Sequence, residues 1–268
     1  CWLFFAISGV DVLGMLNEVF KENDRKAYID WIYAQQLPCV DDATHKCGGF
    51  RGGSFLGTKH EPHGPTCPDC LPLDGGHLAM SYTAIATLAV LGDDFARLNR
   101  RGIAQSLKHH QQSDGCFSST VEAGGETDMR FSYCACCVAY MLDDWSGVDK
   151  DKLTQFILHS IGYDYGIAQR PMLESHAGST FCAIACLDMM GRLDSALSKE
   201  MQQRVLHWLL SRQGGVGGFQ GRPHKPEDTC YSFWVGSAIR LLTHEDVANN
   251  SANRSYLMTT QNTFGGGF

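Results

Sequence analysis

Four short segments of this chain share one pattern: His77-Leu-Ala-Met-Ser-Tyr82, Asp128-Met-Arg-Phe-Ser-Tyr133, His176-Ala-Gly-Ser-Thr-Phe181 and Asp228-Thr-Cys-Tyr-Ser-Phe233. Each sets His or Asp five residues before an aromatic and then enters a small, apolar stretch, at 83–91, 134–142, 182–190 and 234–242. The starts lie 51, 48 and 52 residues apart. A Gln followed by a glycine-and-Phe turn recurs at 111–117, 213–219 and 261–268, and Cys47-Gly-Gly-Phe50 is an earlier relative. A period near 50 limits the possible folds severely. Each repeat is one small unit that cannot bury its apolar face alone, so neighbours must stack.

Within a repeat the apolar pattern alternates in kind. Leu153, Phe156, Ile157 and Ile161 form one stripe at helical spacing, as do Met201, Val205 and Trp208, which predicts amphipathic outer helices. Residues 84–91 and 182–190 are apolar nearly all round, which predicts buried inner helices. Strand signals are thin. The expected fold is all-α, with helix pairs stacked in sequence as an open solenoid or closed into a ring. In a ring, parallel inner helices bring their N-termini to one rim, and helix N-termini attract anions.

Composition narrows the class. The chain is 44% hydrophobic and 19% charged, with no apolar run long enough for a membrane span. Its net charge of −7 argues against broad nucleic-acid binding. Several of the twelve cysteines (Cys134, Cys136, Cys137, Cys182 and Cys186) lie in apolar helical stretches. They read as buried thiols of a reducing, cytoplasmic compartment. Asn249 and Asn253 sequons then carry no meaning. The chain begins without Met and is expected to be a fragment.

The stretch Arg222-Pro-His-Lys225-Pro-Glu-Asp-Thr-Cys-Tyr-Ser-Phe-Trp234 carries the chemistry. Asp228 and Cys230 suit a borderline-soft ion such as zinc, and Arg222, Lys225 and Tyr231 suit a polyphosphate. Taken alone, the pair reads rather as a helix N-cap at Asp228 and a core residue at Cys230 than as a metal site.

These features together resemble the β subunits of the protein prenyltransferases, type I geranylgeranyltransferase above all. The most specific residues are Gly125–Tyr133, Leu173–Cys182 and Gly221–Gly236. The resemblance implies an α–α toroid of six helix pairs, a single domain over residues 1–268 truncated at both ends. It implies transfer of a C20 group from geranylgeranyl diphosphate to the thiol of a C-terminal CaaX cysteine, with Leu preferred at the end. Zinc is implied at Asp228 and Cys230, with a third His ligand beyond residue 268, and the zinc activates the thiol. Tyr231 is catalytic, stabilising the departing diphosphate. Diphosphate contacts are implied at His176, Ala177, Gly178, Arg222, Pro223, His224, Lys225, Tyr231, Ser232, Phe233 and Trp234. Arg130 and Tyr133 occupy equivalent rim positions for peptide or lipid. The partners are an α subunit, in an obligate heterodimer, and CaaX-ending proteins such as small GTPases. A magnesium requirement is left open, and the chain as it stands is expected to be inactive.

Rival readings remain. A farnesyltransferase β subunit shares the chemistry with a shorter lipid, and a helical scaffold binds partners without catalysis. A terpene cyclase needs Asp-rich motifs, whereas Asp93-Asp94 and Asp143-Asp144 follow buried helices, where turn chemistry explains them. His60, His63, Cys67 and Cys70 have chelating spacing but lie in a Pro- and Gly-rich insertion. A surface loop is the reading there.

Overall fold

The computed structural model describes residues 2–37, 48–53, 75–121, 124–245 and 247–267. Among them run twelve helices: α1 (Trp2–Val12), α2 (Leu16–Val19), α3 (Glu22–Tyr33), α4 (Leu78–Val90), α5 (Arg100–His110), α6 (Met129–Leu142), α7 (Lys150–His159), α8 (Ala177–Met189), α9 (Leu193–Ala196), α10 (Lys199–Leu210), α11 (Tyr231–Thr243) and α12 (Asn250–Thr260). None of the described helices is long and apolar enough to cross a membrane. Strand pairing among the described residues is confined to isolated antiparallel bridges. The chain divides into two compact units, Cys1–Thr127 with Cys134–Asp149, and Asp128–Tyr133 with Lys150–Phe268. The His60, His63, Cys67 and Cys70 cluster, and Cys47 of the earliest turn, lie outside the described residues.

In three of the glycine turns one carboxamide ties the turn to the start of an outer helix. In the first unit, Gln36 bridges Phe50 across its turn. Its Oε1 accepts the N–H of Asn99 at 2.9 Å while its Nε2 donates to the Arg97 carbonyl at 3.2 Å. Asn99 in turn caps α5 through the N–H of Gly102. Gln111 binds both backbone groups of Asp149, at 2.8 and 3.0 Å, just before α7 begins. In the second unit, Gln213 holds Asn249 the same way, and Asn249 caps α12. An amide end group carries donor and acceptor side by side, so one Gln satisfies an N–H and a C=O together, both of one residue at Gln111 and Gln213 and of two neighbouring residues at Gln36, and fixes where an outer helix starts. Another such turn, bridged from Ile161 to Ile167, has lost both the Gln and the Phe. The motif search passed over it because only its backbone persists. Ile161 therefore belongs to this turn rather than to the stripe of α7.

The outer helices bury one face each. In the second unit α7 buries Leu153, Phe156 and Ile157, and α10 buries Val205, Trp208 and Leu209 while Glu200 and Arg204 pair in solvent. Removing each such side chain from water stabilises by about 1.5–3 kcal/mol. Helix α8, which packs against α11, is enclosed almost completely: Ala177 and every residue from Ser179 to Leu187 are buried. In the first unit α4 is wetter than its composition suggests. It packs against α1 and α3 and buries Ile85 and Leu88, yet Ala89 is exposed. The cysteines placed in the core by their apolar neighbours, Cys134, Cys136, Cys137, Cys182 and Cys186, are all buried.

The paired aspartates after α4 and α6 make turns. Asp93 and Asp94 accept the N–H groups of Phe95 and Ala96, and Asp144 accepts that of Ser146. Each carboxylate bonds the backbone two residues on, as expected of Asx turns.

Candidate functional site

The four repeat-defining residues share one local geometry: His77 and His176 are the N-caps of α4 and α8, Asp128 directly precedes α6, and Asp228 lies two residues ahead of Cys230, the N-cap of α11. Each accepts, through its side chain, the N–H two residues further on. His77 Nδ1 takes Ala79 at 3.2 Å, Asp128 takes Arg130 at 2.9 Å, His176 Nδ1 takes Gly178 at 3.0 Å, and Asp228 takes Cys230 at 3.0 Å. His and Asp alternate because both present an acceptor at the reach that an N-cap needs. The sequence pattern therefore has a structural cause at every repeat. In the second unit, two of these residues, His176 and Asp228, carry further chemistry.

His176 is the first. Its Nδ1 is committed to the Gly178 N–H, so the proton of the neutral ring sits on Nε2, which lies 3.0 Å from the Tyr231 hydroxyl oxygen. The imidazole donates to the phenol, which leaves the phenol's own proton for another acceptor. Burial, and then the nearby Arg222 charge, push the His176 pKa down, with Glu174 pulling the other way. Arg222 reaches Glu174 Oε2 at 2.6 Å. Imidazole, phenol and guanidinium thus converge beside the N-terminus of α8. Gly221 makes this approach possible. A methyl there would sit 2.2 Å from Tyr231 Cζ and 2.3 Å from its hydroxyl, and the Gly221 carbonyl also accepts the N–H of Ala177 at 2.7 Å.

Asp228 is the second. It is exposed, as is Cys230, two residues on at the entry to α11. Burial of its sulfur and the adjoining Asp228 carboxylate push the Cys230 thiol up to about 11, while a hydrogen bond from Trp234 works against them. A thiol and a carboxylate held together without a countercharge repel proton loss. A divalent cation between them would reverse that sign, so the donor set fits zinc. Among the described residues, no cluster of three or more such donors is formed. Tyr256 of α12 lies close enough for Asp228, Glu227 and Cys230 to raise its pKa, after burial.

An open cleft of about 560 Å³ runs between α8 and α11. Tyr133, Phe181, Phe233 and Met189 line it, with Asp188 and Arg240 further along both helices. Phe181 stands at the centre of an aromatic cluster, with ring centroids 5.4 Å from Tyr133, 5.3 Å from Phe233 and 5.4 Å from Trp234. Such packing favours a flat, apolar occupant.

The remaining sequence-expected residues fall as follows. Ala177 is buried as the first residue of α8, and the Gly178 N–H is taken by His176. Pro223 is half-buried, while His224, with left-handed backbone (φ 63), and Lys225 are exposed in the turn before Asp228. Ser232 donates to Asn253 Oδ1 at 2.8 Å, which ties the start of α11 to α12. Arg130 forms a forked ion pair with Asp128, closest at 2.6 Å, so its guanidinium serves its own helix cap. Sequence reading missed Glu174, Gly221 and Phe181. Phe181 was signalled by its place five residues after His176, but Gly221 is marked by nothing short of the ring it accommodates.

The family model described as the prenyltransferase alpha-alpha toroid domain matches residues 1–268. The chain belongs to this prenyltransferase family, and its fold is the α–α toroid. Two curated relatives are named geranylgeranyl transferase type-1 subunit beta. The one from Arabidopsis thaliana is 38% identical over 98% of this chain and 70% of its own length. The one from Dictyostelium discoideum is 33% identical over 99% and 75%. Among solved structures, Candida albicans protein geranylgeranyltransferase-I complexed with GGPP superposes with a TM-score of 0.81 at 24% identity, covering 99% of this chain and 76% of that one. The particular members it resembles along its whole length are therefore type-1 β subunits.

Proposed function

We propose that this chain is the catalytic β subunit of a cytoplasmic protein geranylgeranyltransferase of type I, working with an α subunit. It joins the C20 group of geranylgeranyl diphosphate to the sulfur of a CaaX cysteine. The observation that carries the reading is the juxtaposition, within one unit, of the His176–Tyr231–Arg222 group, the Asp228–Cys230 donor pair and the aromatic cleft beside them. Its relatives' names support the same reaction.

The CaaX thiol gives up its proton to solvent, the substrate's carbon–oxygen bond to diphosphate breaks as the new carbon–sulfur bond forms, and negative charge gathers on the leaving oxygens. The Tyr231 hydroxyl, whose oxygen is already fixed by His176, donates its proton in a hydrogen bond to that charge. Arg222 releases Glu174 to pair with it, and Lys225 adds a second cation. Phe181, Phe233, Trp234 and Tyr133 exclude water from the allylic carbon and hold the chain extended. Asp228 and Cys230 would hold zinc, which when bound lowers the pKa of the incoming thiol.

The test is prenyl transfer to a Leu-ending CaaX peptide by the heterodimer of the α subunit with the full-length β chain, comparing C20 with C15 diphosphate. The reading predicts a kcat/KM at least about tenfold higher for C20. Preference for C15 would make the chain a farnesyltransferase subunit, and binding of peptides lacking cysteine without transfer would make it a scaffold.

A further inference from the structure

We propose that Asp164 is a positioning residue for the diphosphate edge of the site, acting through Ser175 on His176. This rests on the reading that the His176 rim receives a prenyl diphosphate. Asp164 lies in the turn that has lost its Gln and Phe, and its carboxylate gathers three donors. Oδ1 accepts the Ser175 hydroxyl at 2.5 Å and the Gly166 N–H at 3.2 Å, and Oδ2 accepts the Trp208 indole N–H at 2.8 Å. Ser175 and Trp208 are each 5% exposed.

The turn is shaped around this cluster. A methyl on Gly162 would meet Ser175 Oγ at 2.5 Å and Asp164 Oδ1 at 2.8 Å. One on Gly166 would meet both Ser175 Cβ and Trp208 Cε2 at 2.5 Å. Turn geometry does not demand a carboxylate there. The equivalent place in the 213–219 turn is Val216, which is 66% exposed; in the 111–117 turn it is Asp114, which accepts the Cys116 N–H at 3.0 Å as Asp164 accepts that of Gly166, so the bonds to Ser175 and Trp208 are what sets Asp164 apart.

Ser175 directly precedes His176. The backbone of this pair is held by Ile167 and Ala168: the His176 N–H bonds the Ile167 carbonyl at 3.2 Å, and Ala168 pairs antiparallel with Ser175. Asp164 supplies the restraint from the side-chain direction, anchored by the indole of an outer helix. The entry to α8 is thereby fixed from two sides, and with it the imidazole that orients Tyr231 3.0 Å away. Charge-assisted bonds of this kind hold geometry more tightly than neutral ones, and a small misplacement of a charge-stabilising group costs rate steeply.

The experiment uses the αβ heterodimer with geranylgeranyl diphosphate and a CaaX peptide, measuring KM for each substrate, kcat and melting temperature. Asp164→Ala and Ser175→Ala are expected to raise KM for the diphosphate by about five- to tenfold, as loss of one fixed hydrogen bond would. The peptide KM stays unchanged. In a Tyr231→Phe background the same substitutions add less than about twofold, because the group they position is already disabled. Asp164→Asn, which keeps the acceptor for Ser175, recovers part of the loss. If Asp164→Ala does not fold, Ser175→Ala, which removes a single hydroxyl, carries the test. Variants that melt earlier but leave the diphosphate KM unmoved overturn the inference, as do effects that multiply fully with Tyr231→Phe. His176→Ala separates the two levels. If it weakens diphosphate binding and Asp164→Ala does not, this inference alone falls. If it leaves binding intact, the diphosphate reading falls and takes this inference with it.

Discussion

Replacing Gly221 by Ala tests the site at its most crowded point. The added Cβ would lie 2.3 Å from the Tyr231 hydroxyl and 2.2 Å from Cζ. Ordinary carbon contacts are about 3.5 Å, so the ring tip must retreat by about 1 Å. That stretches the 3.0 Å bond from His176 to Tyr231 out of hydrogen-bonding range. The stability cost is small, about 1 kcal/mol for one hydrogen bond, because Tyr231 is only part-buried and its end can swing. The functional cost is larger, since about 1 Å of misplacement in a charge-stabilising group lowers rates by up to about a hundredfold. Gly221→Ala is therefore expected to cut kcat/KM for geranylgeranyl diphosphate by about 30- to 100-fold while the melting temperature drops by about 2–4 °C. Steady-state transfer by the heterodimer, paired with calorimetry, reads both. On a Tyr231→Ala background the alanine has nothing to displace, and its effect should shrink to within about twofold. The reasoning is refuted if Gly221→Ala transfers normally, or if it costs as much without the ring as with it.

Three further outcomes follow from the same geometry. His110 is buried, with its Nδ1 donating to the Ser118 carbonyl, and burial holds its pKa at about 4, against 6.5 when unfolded. The unfolded chain takes up the proton first, so His110's contribution is complete above about pH 6.5 and is lost as pH falls towards 4, up to about 3 kcal/mol; urea midpoints should drop across that window, and less steeply in His110→Gln. Asp128 caps α6 and holds Arg130 with a side chain only 9% exposed, so Asp128→Ala should destabilise by about 1–2 kcal/mol in urea titration. Cys230→Ala should abolish most transfer yet leave the circular dichroism spectrum unchanged, because the residue is exposed and lies outside the core.

Much of this was legible in the chain, and the reasons for the misses are specific. The period of about 50 residues and the alternation of amphipathic and fully apolar stretches set the helix pairs, and α8 matches that expectation almost residue for residue. The turn at Ile161–Ile167 escaped because bridge geometry survives side-chain replacement. His176 and Asp228 were read for diphosphate and zinc, and each also bonds the N–H two residues on, as His77 and Asp128 do, which needs only an acceptor at the correct reach. The two roles are compatible at Asp228, because a carboxylate has lone pairs to spare after satisfying one N–H. Arg130, expected from sequence to meet peptide or lipid, pairs with Asp128 while its side chain stays 54% exposed. Gly221 and Asp164 were invisible because their importance lies in contacts with residues ten or more positions away.

The sharpest measurement is metal analysis of the intact heterodimer combined with X-ray absorption at the zinc edge. One zinc per β chain with a sulfur neighbour at about 2.3 Å, lost in Cys230→Ala together with transfer, is the predicted result. Zinc retained with its sulfur neighbour in Cys230→Ala, or full transfer by that variant, would contradict the account.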